Sequence, residues 1–286
     1  MPRFTILCLN RLATTAVLKL VVNKSMNVIA IPLIKSKRLL VRGSEPPRIN
    51  HDWSQYSINT WQWWCEKNSV SLEIITESNG YLEDMAYTFQ RWGAIPDLFK
   101  KYGSNAKVAL VDADTMIKWN TPNFFSLCPL DSISLVPREK IKINIPLRTI
   151  KNYQNLFPAV QLPLEKYYQM GIQVFTTSQL NFIKDLENFV NENKEQLLEI
   201  QTKSNVGTDQ GPVNYLLFKN NYKIHELSWQ YNYTRPFNDF KSVEDIYTDS
   251  SYKFIEEAYI WHFVRAYPYR SQIMAETWKR VSSFYK

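Results

Sequence analysis

Two aspartates spaced by one residue, Asp112 and Asp114, follow the apolar run at residues 108–111. Residues two apart lie on the same side of an extended chain, so a buried strand ending here would deliver both carboxylates to one point at its carboxyl edge. Open α/β sheets bind their ligands at that edge. Mg²⁺ and Mn²⁺ prefer oxygen ligands and are commonly held by one or two carboxylates together with substrate phosphates. The spacing therefore favours a metal and diphosphate site over a zinc site.

The Asp-x-Asp pattern alone also fits a solvated turn in which an aspartate side chain hydrogen-bonds the backbone. The order of three later segments favours the metal site. These segments are residues 167–175 (YYQMGIQVF), residues 207–214 (GTDQGPVN) and residues 260–263 (IWHF). With the aspartate pair, this succession resembles glycosyltransferases of the GT-A type, nearest in pattern to the family 8-like retaining enzymes. The resemblance extends over about residues 27–270, but it is concentrated in these four short motifs.

The resemblance implies an α/β fold of the GT-A (Rossmann-like) type, with a mostly parallel central sheet flanked by helices and a smaller acceptor-side subregion. It also implies a metal-dependent enzyme that transfers a sugar from a nucleoside-diphosphate sugar to a hydroxyl group of a glycan, lipid or protein. Asp112 and Asp114 would hold Mn²⁺ or Mg²⁺ and contact the donor nucleotide. His262 would be a further metal ligand, although a lone histidine between aromatic residues is also typical of a packed core.

Two segments match family motifs that meet the donor sugar. Gln169 stands where the family has Asn in an Asn-Ala-Gly pattern, so we expect an amide contact to the donor sugar. Asp209 and Gln210, followed by Asn214, match an Asp-Gln element that faces the reacting anomeric carbon. Asp209 would either stabilise an oxocarbenium-like centre in a retaining transfer or act as general base in an inverting one. The alternatives are that Gly171 marks only a tight strand entry, and that the macrodipole alone explains an acid at a helix start.

Three arginines are candidates for contacts to the donor nucleotide. Arg265 and Arg270 follow His262, where the family's Lys-Pro-Trp is absent, and a guanidinium group pairs bidentately with phosphate. Arg91 precedes the aspartate strand and could reach a phosphate or the base, whereas a solvated position on a helix face is the commoner state for such a residue. Arg91 and Arg265 therefore complete the predicted nucleotide-binding set with the two aspartates.

Hydrophobic periodicity predicts the elements that would position these residues. Strands are expected at residues 27–33, 71–76, 108–111 and 171–175, and helices at residues 53–64, 85–92, 96–102, 178–201 and 209–218. Strands that alternate with helices in the first half predict a parallel sheet. The Trp-rich helix at residues 53–64 is expected to pack into the core. The Pro-punctuated region at residues 129–163 indicates no clear element.

Residues 26–286 are predicted to form one catalytic domain, with a nucleotide-binding half at residues 26–128 and an acceptor-binding half with C-terminal helices at residues 129–286. Residues 1–25 are apolar but interrupted by Arg11 and Lys19. This interruption argues against a transmembrane span and favours a dispensable or leader-like extension, with peripheral membrane contact left open.

Composition and charge narrow the class of protein. The 286-residue chain is 45% hydrophobic, enough for a substantial core. Its net charge of +7 falls to +3 without residues 1–25, which carry four basic residues and no acid, so no nucleic-acid partner is expected. The three cysteines are far apart and suit neither a disulfide framework nor a zinc site, which favours a reducing, cytoplasmic compartment.

Two rival functions remain open from the sequence. A nucleotidyltransferase shares the metal and nucleotide chemistry, but it normally has a Gly-rich phosphate loop after the first strand, and residues 33–38 (LIKSKR) contain no glycine. A non-catalytic carbohydrate- or nucleotide-binding module would keep the aspartate pair without turnover.

Overall fold

The computed structural model describes residues 26–34, 52–138, 144–204, 209–234, 240, 242–264, 266 and 269–286. Eight strands lie within these ranges: β1 (Asn27–Pro32), β2 (Ser71–Ile75), β3 (Lys107–Val111), β4 (Thr115–Ile117), β5 (Ile133–Pro137), β6 (Tyr168–Phe175), β7 (Ile224–Glu226) and β8 (Ile260–His262). Six form a central sheet in the order β2-β1-β3-β6-β5-β7, and β4 pairs with β8 in a second, two-stranded sheet. In the central sheet only β6 runs against the other described strands.

Helices flank this sheet. The described helices are α1 (Ser54–Asn68), α2 (Tyr87–Gln90), α3 (Ala94–Tyr102), α4 (Asn144–Tyr153), α5 (Leu180–Glu192), α6 (Lys194–Ser204), α7 (Gln210–Lys219), α8 (Phe254–Glu257) and α9 (Arg270–Val281). The predicted α/β class, with a mostly parallel central sheet flanked by helices, is confirmed. Where one helix was expected at residues 178–201, α5 and α6 are separated at Asn193, and the unreadable region at residues 129–163 contains β5 and α4. No helix in the described part of the chain is long and apolar enough to cross a membrane.

The continuous apolar character of β1 follows from burial on both faces, as is typical of parallel strands. Val28 and Ala30 belong to a core cluster that includes residues of α3, α5 and α7. Ile29 and Ile31 belong to a second cluster, together with Trp61 of α1. Since Trp61 has no exposed surface, the prediction that the Trp-rich helix packs into the core is confirmed.

One irregularity in β6 lies next to the aspartate pair. The register between β5 and β6 shifts between Leu135 and Val136, which leaves the residues of β6 around Gly171 without partners in β5. The carbonyl of Gly171 accepts a hydrogen bond from the backbone N–H of Asp112 at 2.9 Å. Because β6 is antiparallel to β3, its first residues lie at the same edge of the sheet as the end of β3. This edge collects the predicted site residues.

Candidate metal centre and active site

A hydrogen-bonded turn between β3 and β4 presents the two aspartates. The backbone N–H of Thr115 donates to the carbonyl of Asp112 at 3.1 Å, and its hydroxyl donates to the same oxygen at 2.7 Å. The indole N–H of Trp61 in turn donates to the Thr115 hydroxyl at 3.0 Å. The turn is therefore supported by the core rather than solvated, and the Asp114 side chain is only 12% exposed.

Strand pairing brings His262 to these aspartates. In the β4–β8 ladder, Thr115 pairs with His262, and the backbone N–H of Phe263 donates to the carbonyl of Asp114 at 2.8 Å. The Nε2 atom of His262 lies 3.4 Å from Oδ2 of Asp112 and 3.2 Å from Oδ1 of Asp114. Ligand atoms of the three side chains lie within 4.8 Å of one another. Residues far apart in sequence thus converge on one point.

This cluster fits a divalent cation. Among the described residues, the buried Nε2 of His262 has no hydrogen-bond partner, although it faces two carboxylates. A buried polar atom without a partner is costly unless a ligand satisfies it. Two carboxylates and one neutral imidazole are a donor set that suits Mn²⁺ and leaves further positions for phosphate oxygens.

The other ring nitrogen of His262 contacts a residue that the sequence did not single out. Nδ1 lies 2.9 Å from the side-chain Oδ1 of Asn232, and both residues are buried. Both also pack directly on Gly171, since a Cβ at that position would lie too close to the imidazole and 2.7 Å from Oδ1 of Asn232. Gly171 is therefore required by close packing at the site, which is more than the tight strand entry considered from the sequence.

Arg91 is buried between two carboxylates. It is 2% exposed, so the solvated helix-face position considered from the sequence is wrong. One terminal nitrogen donates to Oδ1 of Asp112, and the other donates to Oδ2 of Asp209 at 2.8 Å and to the carbonyl of Met170 at 3.0 Å. Burial acts to lower the pKa of Arg91, but the charges of Asp112 and Asp209 outweigh burial and raise it above its usual value.

Asp209 occupies the N-cap position of α7, but its side chain does not cap the helix. Its Oδ2 instead accepts hydrogen bonds from Arg91 and, at 3.1 Å, from the indole N–H of Trp92. A helix macrodipole alone would not require these two buried donors. The arrangement connects Asp209 to Asp112 through one guanidinium group and holds the carboxylate in a fixed orientation.

The remaining donor-sugar candidates lie around the first residues of β6. Gln169 is 6% exposed rather than on the surface, and its Nε2 has no hydrogen-bond partner among the described residues. Gln210 donates to the carbonyl of Tyr168 at 3.1 Å. Asn214 donates to the same carbonyl at 3.0 Å and accepts from the Tyr168 backbone N–H at 2.6 Å. Asn214 thus joins α7 to β6, whereas Gln169 keeps an unpaired amide donor.

Arg270 lies at the open side of the cluster. Its Nη2 is 3.2 Å from Oδ2 of Asp114, its Nε donates to the carbonyl of Phe263 at 3.1 Å, and its guanidinium lies 5.2 Å from the centre of the Trp53 ring. The side chain is 26% exposed, so Arg270 is in contact with solvent as well as with Asp114. Arg265, the other predicted phosphate-binding arginine, lies outside the described residues.

The two aspartates have different electrostatic surroundings. Burial raises the pKa of Asp112 above its usual value, against the opposing influence of Arg91 and His262. Burial also acts on Asp114, but Arg270 and His262 outweigh it and hold the pKa of that carboxyl below its usual range. Asp114 is therefore the carboxylate that keeps its charge more readily.

Tyr87, at the start of α2, is a second neighbour that the sequence did not single out. Burial, followed by the charges of Asp114 and Asp112, raises the pKa of Tyr87 to about 12. The residue as a whole is 45% exposed, so part of it is open to solvent. A tyrosine at the start of a short helix carries no sequence signal of such a position.

Comparisons with known proteins identify the fold. No protein-family model matches the chain, and no curated protein is significantly similar to it in sequence. The crystal structure of a glycosyltransferase involved in the glycosylation of the major capsid of PBCV-1 matches with a TM-score of 0.52 and 12% identity, over 87% of this chain and 98% of that chain. Mouse xyloside xylosyltransferase 1 matches with a TM-score of 0.43 and 10% identity, over 85% of this chain and 99% of that chain. By the first of these matches, the chain has a fold found in glycosyltransferases.

Proposed function

We propose that the protein is a metal-dependent glycosyltransferase that uses a nucleoside-diphosphate sugar as donor and a hydroxyl group of a glycan, lipid or protein as acceptor. The observation that carries the proposal is the cluster of Asp112, Asp114 and His262 at the carboxyl edge of the sheet, in a fold found in glycosyltransferases. Ligands of α/β sheets bind at this edge. The buried, unpaired Nε2 of His262 supports a cation at the centre of the cluster.

The leaving group determines what the cluster must do. In the proposed reaction, the bond between the anomeric carbon and the diphosphate oxygen breaks and a bond to the acceptor oxygen forms. The proton of the acceptor hydroxyl passes to the departing diphosphate in a retaining transfer or to Asp209 in an inverting one. A bound Mn²⁺ or Mg²⁺ would supply the positive charge that stabilises the departing diphosphate. Asp112, Asp114 and His262 would hold the cation. Arg270 would turn from Asp114 to a phosphate oxygen, because a guanidinium group pairs well with phosphate.

Asp209 and Gln169 are proposed to act at the sugar. Positive charge develops on the anomeric carbon in the transition state, and a buried carboxylate in a fixed orientation stabilises such charge. Arg91 and Trp92 provide that orientation for Asp209. The unpaired amide of Gln169 would donate to a sugar hydroxyl, with Gln210 beside it. In an inverting transfer, Asp209 would instead take the proton of the acceptor hydroxyl.

The test is a calorimetric titration of UDP-, GDP-, CMP- and dTDP-sugars, with Mn²⁺ and with chelator, on wild type and Asp114→Asn. We expect one donor to bind with Mn²⁺ and to lose its binding with chelator or in the variant. Asp131→Asn is the matched control, because Asp131 is an exposed aspartate that pairs only with Lys223 among the described residues. Donor binding that ignores both chelator and Asp114→Asn would contradict the proposal.

Measurement of turnover distinguishes a glycosyltransferase from the two rival functions. Release of the nucleoside diphosphate from the bound donor, with water or an acceptor, would establish group transfer. Tight metal-dependent binding without any release would support a non-catalytic nucleotide- or carbohydrate-binding module. Formation of a new nucleotide linkage, with release of pyrophosphate, would support a nucleotidyltransferase.

A further inference from the structure

We propose that Asn232 is the positioning residue that makes His262 a metal ligand, by holding the imidazole in the tautomer whose Nε2 lone pair faces Asp112 and Asp114. The inference rests on the proposed function, because it concerns the cation of that same site. Among the described residues, the side-chain N–H groups of Asn232 donate to neither carboxylate. It acts through the hydrogen bond of 2.9 Å between its Oδ1 and Nδ1 of His262.

The chemistry of a neutral imidazole makes this contact decisive. One ring nitrogen carries a proton and the other carries a lone pair, and only the lone pair binds a metal. The carbonyl oxygen of Asn232 accepts a hydrogen bond and so places the proton on Nδ1. Nε2, 3.2 Å from Asp114 and 3.4 Å from Asp112, then presents its lone pair to the point where the carboxylates converge. Partners of this kind fix both the tautomer and the ring orientation of metal-bound histidines.

The backbone holds Asn232 in register with His262. The N–H of Tyr233 donates to the carbonyl of Ile260 at 2.9 Å, and the N–H of His262 donates to the carbonyl of Tyr233 at 2.8 Å. These two bonds attach the segment that follows Asn232 to strand β8 on both sides of Trp261. Gly171 closes the arrangement from β6, because it has no Cβ to separate the amide from the imidazole. Three distant parts of the chain thus fix one side-chain hydrogen bond.

Burial limits the hydrogen-bond partners of the Asn232 amide. Asn232 is 1% exposed, so water does not compete for Oδ1. Its Nδ2 has no hydrogen-bond partner among the described residues. A buried asparagine that leaves its own N–H groups unpaired is costly. The hydrogen bond between its Oδ1 and Nδ1 of His262 accounts for an asparagine at this position.

The experiment measures the affinity for Mn²⁺ alone, by calorimetry and by the electron paramagnetic resonance signal of free Mn²⁺. Asn232→Leu keeps the size of the side chain and removes the acceptor, and we expect the affinity to fall about 10- to 100-fold. Asn232→Asp restores an acceptor at the same place, and we expect it to retain or exceed the wild-type affinity. Asn68→Leu is the control, since Asn68 bonds only the carbonyl of Trp64 among the described residues.

The double variant tests whether Asn232 acts through His262. In a His262→Ala background, Asn232→Leu should cause no further loss of Mn²⁺ affinity, since residues that act as a unit are non-additive. An equal loss in both backgrounds, or wild-type affinity in Asn232→Leu, would overturn the inference. Wild-type protein without Mn²⁺ affinity would instead overturn the metal site of the proposed function, and the inference with it.

Imidazole ¹⁵N resonances read the tautomer without any metal. The chain has three histidines, so comparison with His262→Ala assigns the signal. We expect the Nδ1–H tautomer in chelator-treated wild type, and a shift towards Nε2–H in Asn232→Leu. If Asn232→Leu does not fold, the Mn²⁺ affinity and the ¹⁵N resonances of Asn232→Ala, which also lacks the acceptor, test the inference instead. An Nε2–H tautomer in the wild type would contradict the inference.

Discussion

Arg91 and His262 contact the two different oxygens of the same carboxylate, that of Asp112, and their surroundings differ. Arg91 meets Oδ1 of Asp112, whereas Nε2 of His262 lies 3.4 Å from Oδ2. Both terminal nitrogens of Arg91 donate to protein acceptors, among them Asp209. Nε2 of His262 has no hydrogen bond among the described residues. Both terminal nitrogens of Arg91 thus already have protein acceptors, although its Nε, like Nε2 of His262, has no hydrogen-bond partner among the described residues. The two side chains differ in that only His262 presents its unpaired nitrogen to two carboxylates.

Under the proposed function, Asp112 would contribute both to stability, through Arg91, and to cation binding, beside His262. Three carboxylates, of Asp112, Asp114 and Asp209, face two guanidinium groups, of Arg91 and Arg270. One carboxylate charge among these five side chains has no guanidinium counterpart, and under the proposed function it would favour a cation at the cluster of Asp112, Asp114 and His262. We call Arg91 with Asp112 and Asp209 the Arg91 group, and His262 with Asp112, Asp114 and Asn232 the His262 group. Each substitution below affects one of these groups more than the other, so the set measures how independent they are.

The largest loss of stability is expected for Arg91→Met. It removes the cation between Asp112 and Asp209 and leaves two buried carboxylates uncompensated, which costs about 3–5 kcal/mol of unfolding free energy. Chemical denaturation measures this loss. Arg91→Lys keeps the charge but not the forked geometry, so its loss should be intermediate. A stable Arg91→Met protein would show that the Arg91 group does not hold the fold together.

Metal-induced stabilisation should be next in size. Mn²⁺ at 100 times its dissociation constant stabilises the folded state by about 2.7 kcal/mol, because it binds the folded state alone. Thermal unfolding with Mn²⁺ and with chelator measures the effect. Asp114→Asn should abolish it, and the surface variant Asp131→Asn should keep it. If Mn²⁺ stabilises Asp114→Asn as much as the wild type, the cation binds elsewhere in the protein and the His262 group is not its site.

The sequence predicts the backbone of this arrangement better than its side-chain contacts. The continuous apolar runs of β1 and β3 identify a parallel sheet because both faces are buried, and the Asp112 and Asp114 pair follows from the end of β3. Strands β4 and β8 have three residues each, too few for a periodic pattern, and their pairing depends on tertiary contacts. Yet this pairing brings His262 to the aspartates.

Side-chain partners were harder to predict. A charged residue on a helix usually faces solvent, so nothing in the sequence indicates that Arg91 lies buried between Asp112 and Asp209. Asn232 lies in an irregular segment far from His262 in sequence, and an isolated asparagine carries no signal of its partner. Both positions depend on contacts between distant segments, which local patterns do not contain.

A smaller effect, on both stability and metal affinity, is expected for Gly171→Ala. Its Cβ would overlap with His262 and Asn232, and such overpacking costs about 1–3 kcal/mol. Gly211→Ala is the matched control, because its Cβ would overlap with the Tyr153 ring in the core instead. Both variants should lose stability in denaturation, but only Gly171→Ala should bind Mn²⁺ more weakly. If the two variants bind Mn²⁺ equally well, Gly171 does not support metal binding by the His262 group.

The smallest change in stability is expected for Arg270→Met, which is the counterpart of Arg91→Met on the open side of the site. Arg270 and Asp114 are more exposed than Arg91, at 26% and 12% against 3% of the side chain, so water can partly replace the lost guanidinium and the loss should be smaller than for Arg91→Met. The effect of Arg270→Met should appear in binding instead. Loss of a charged hydrogen bond to phosphate costs about 1.5–3 kcal/mol, so affinity for inorganic pyrophosphate with Mn²⁺ should fall roughly 10- to 100-fold by calorimetry.

Variants of Arg91 and Arg270 together show which of the two arginines binds phosphate. Arg91→Lys, where it folds, should change pyrophosphate affinity less than Arg270→Met does, because the buried Arg91 already has protein acceptors for both terminal nitrogens. If pyrophosphate affinity falls with Arg91→Lys and not with Arg270→Met, the phosphate-binding arginine is the buried one. The diphosphate would then have to displace an aspartate from Arg91, and the division into a structural group and a ligand-binding group would be wrong.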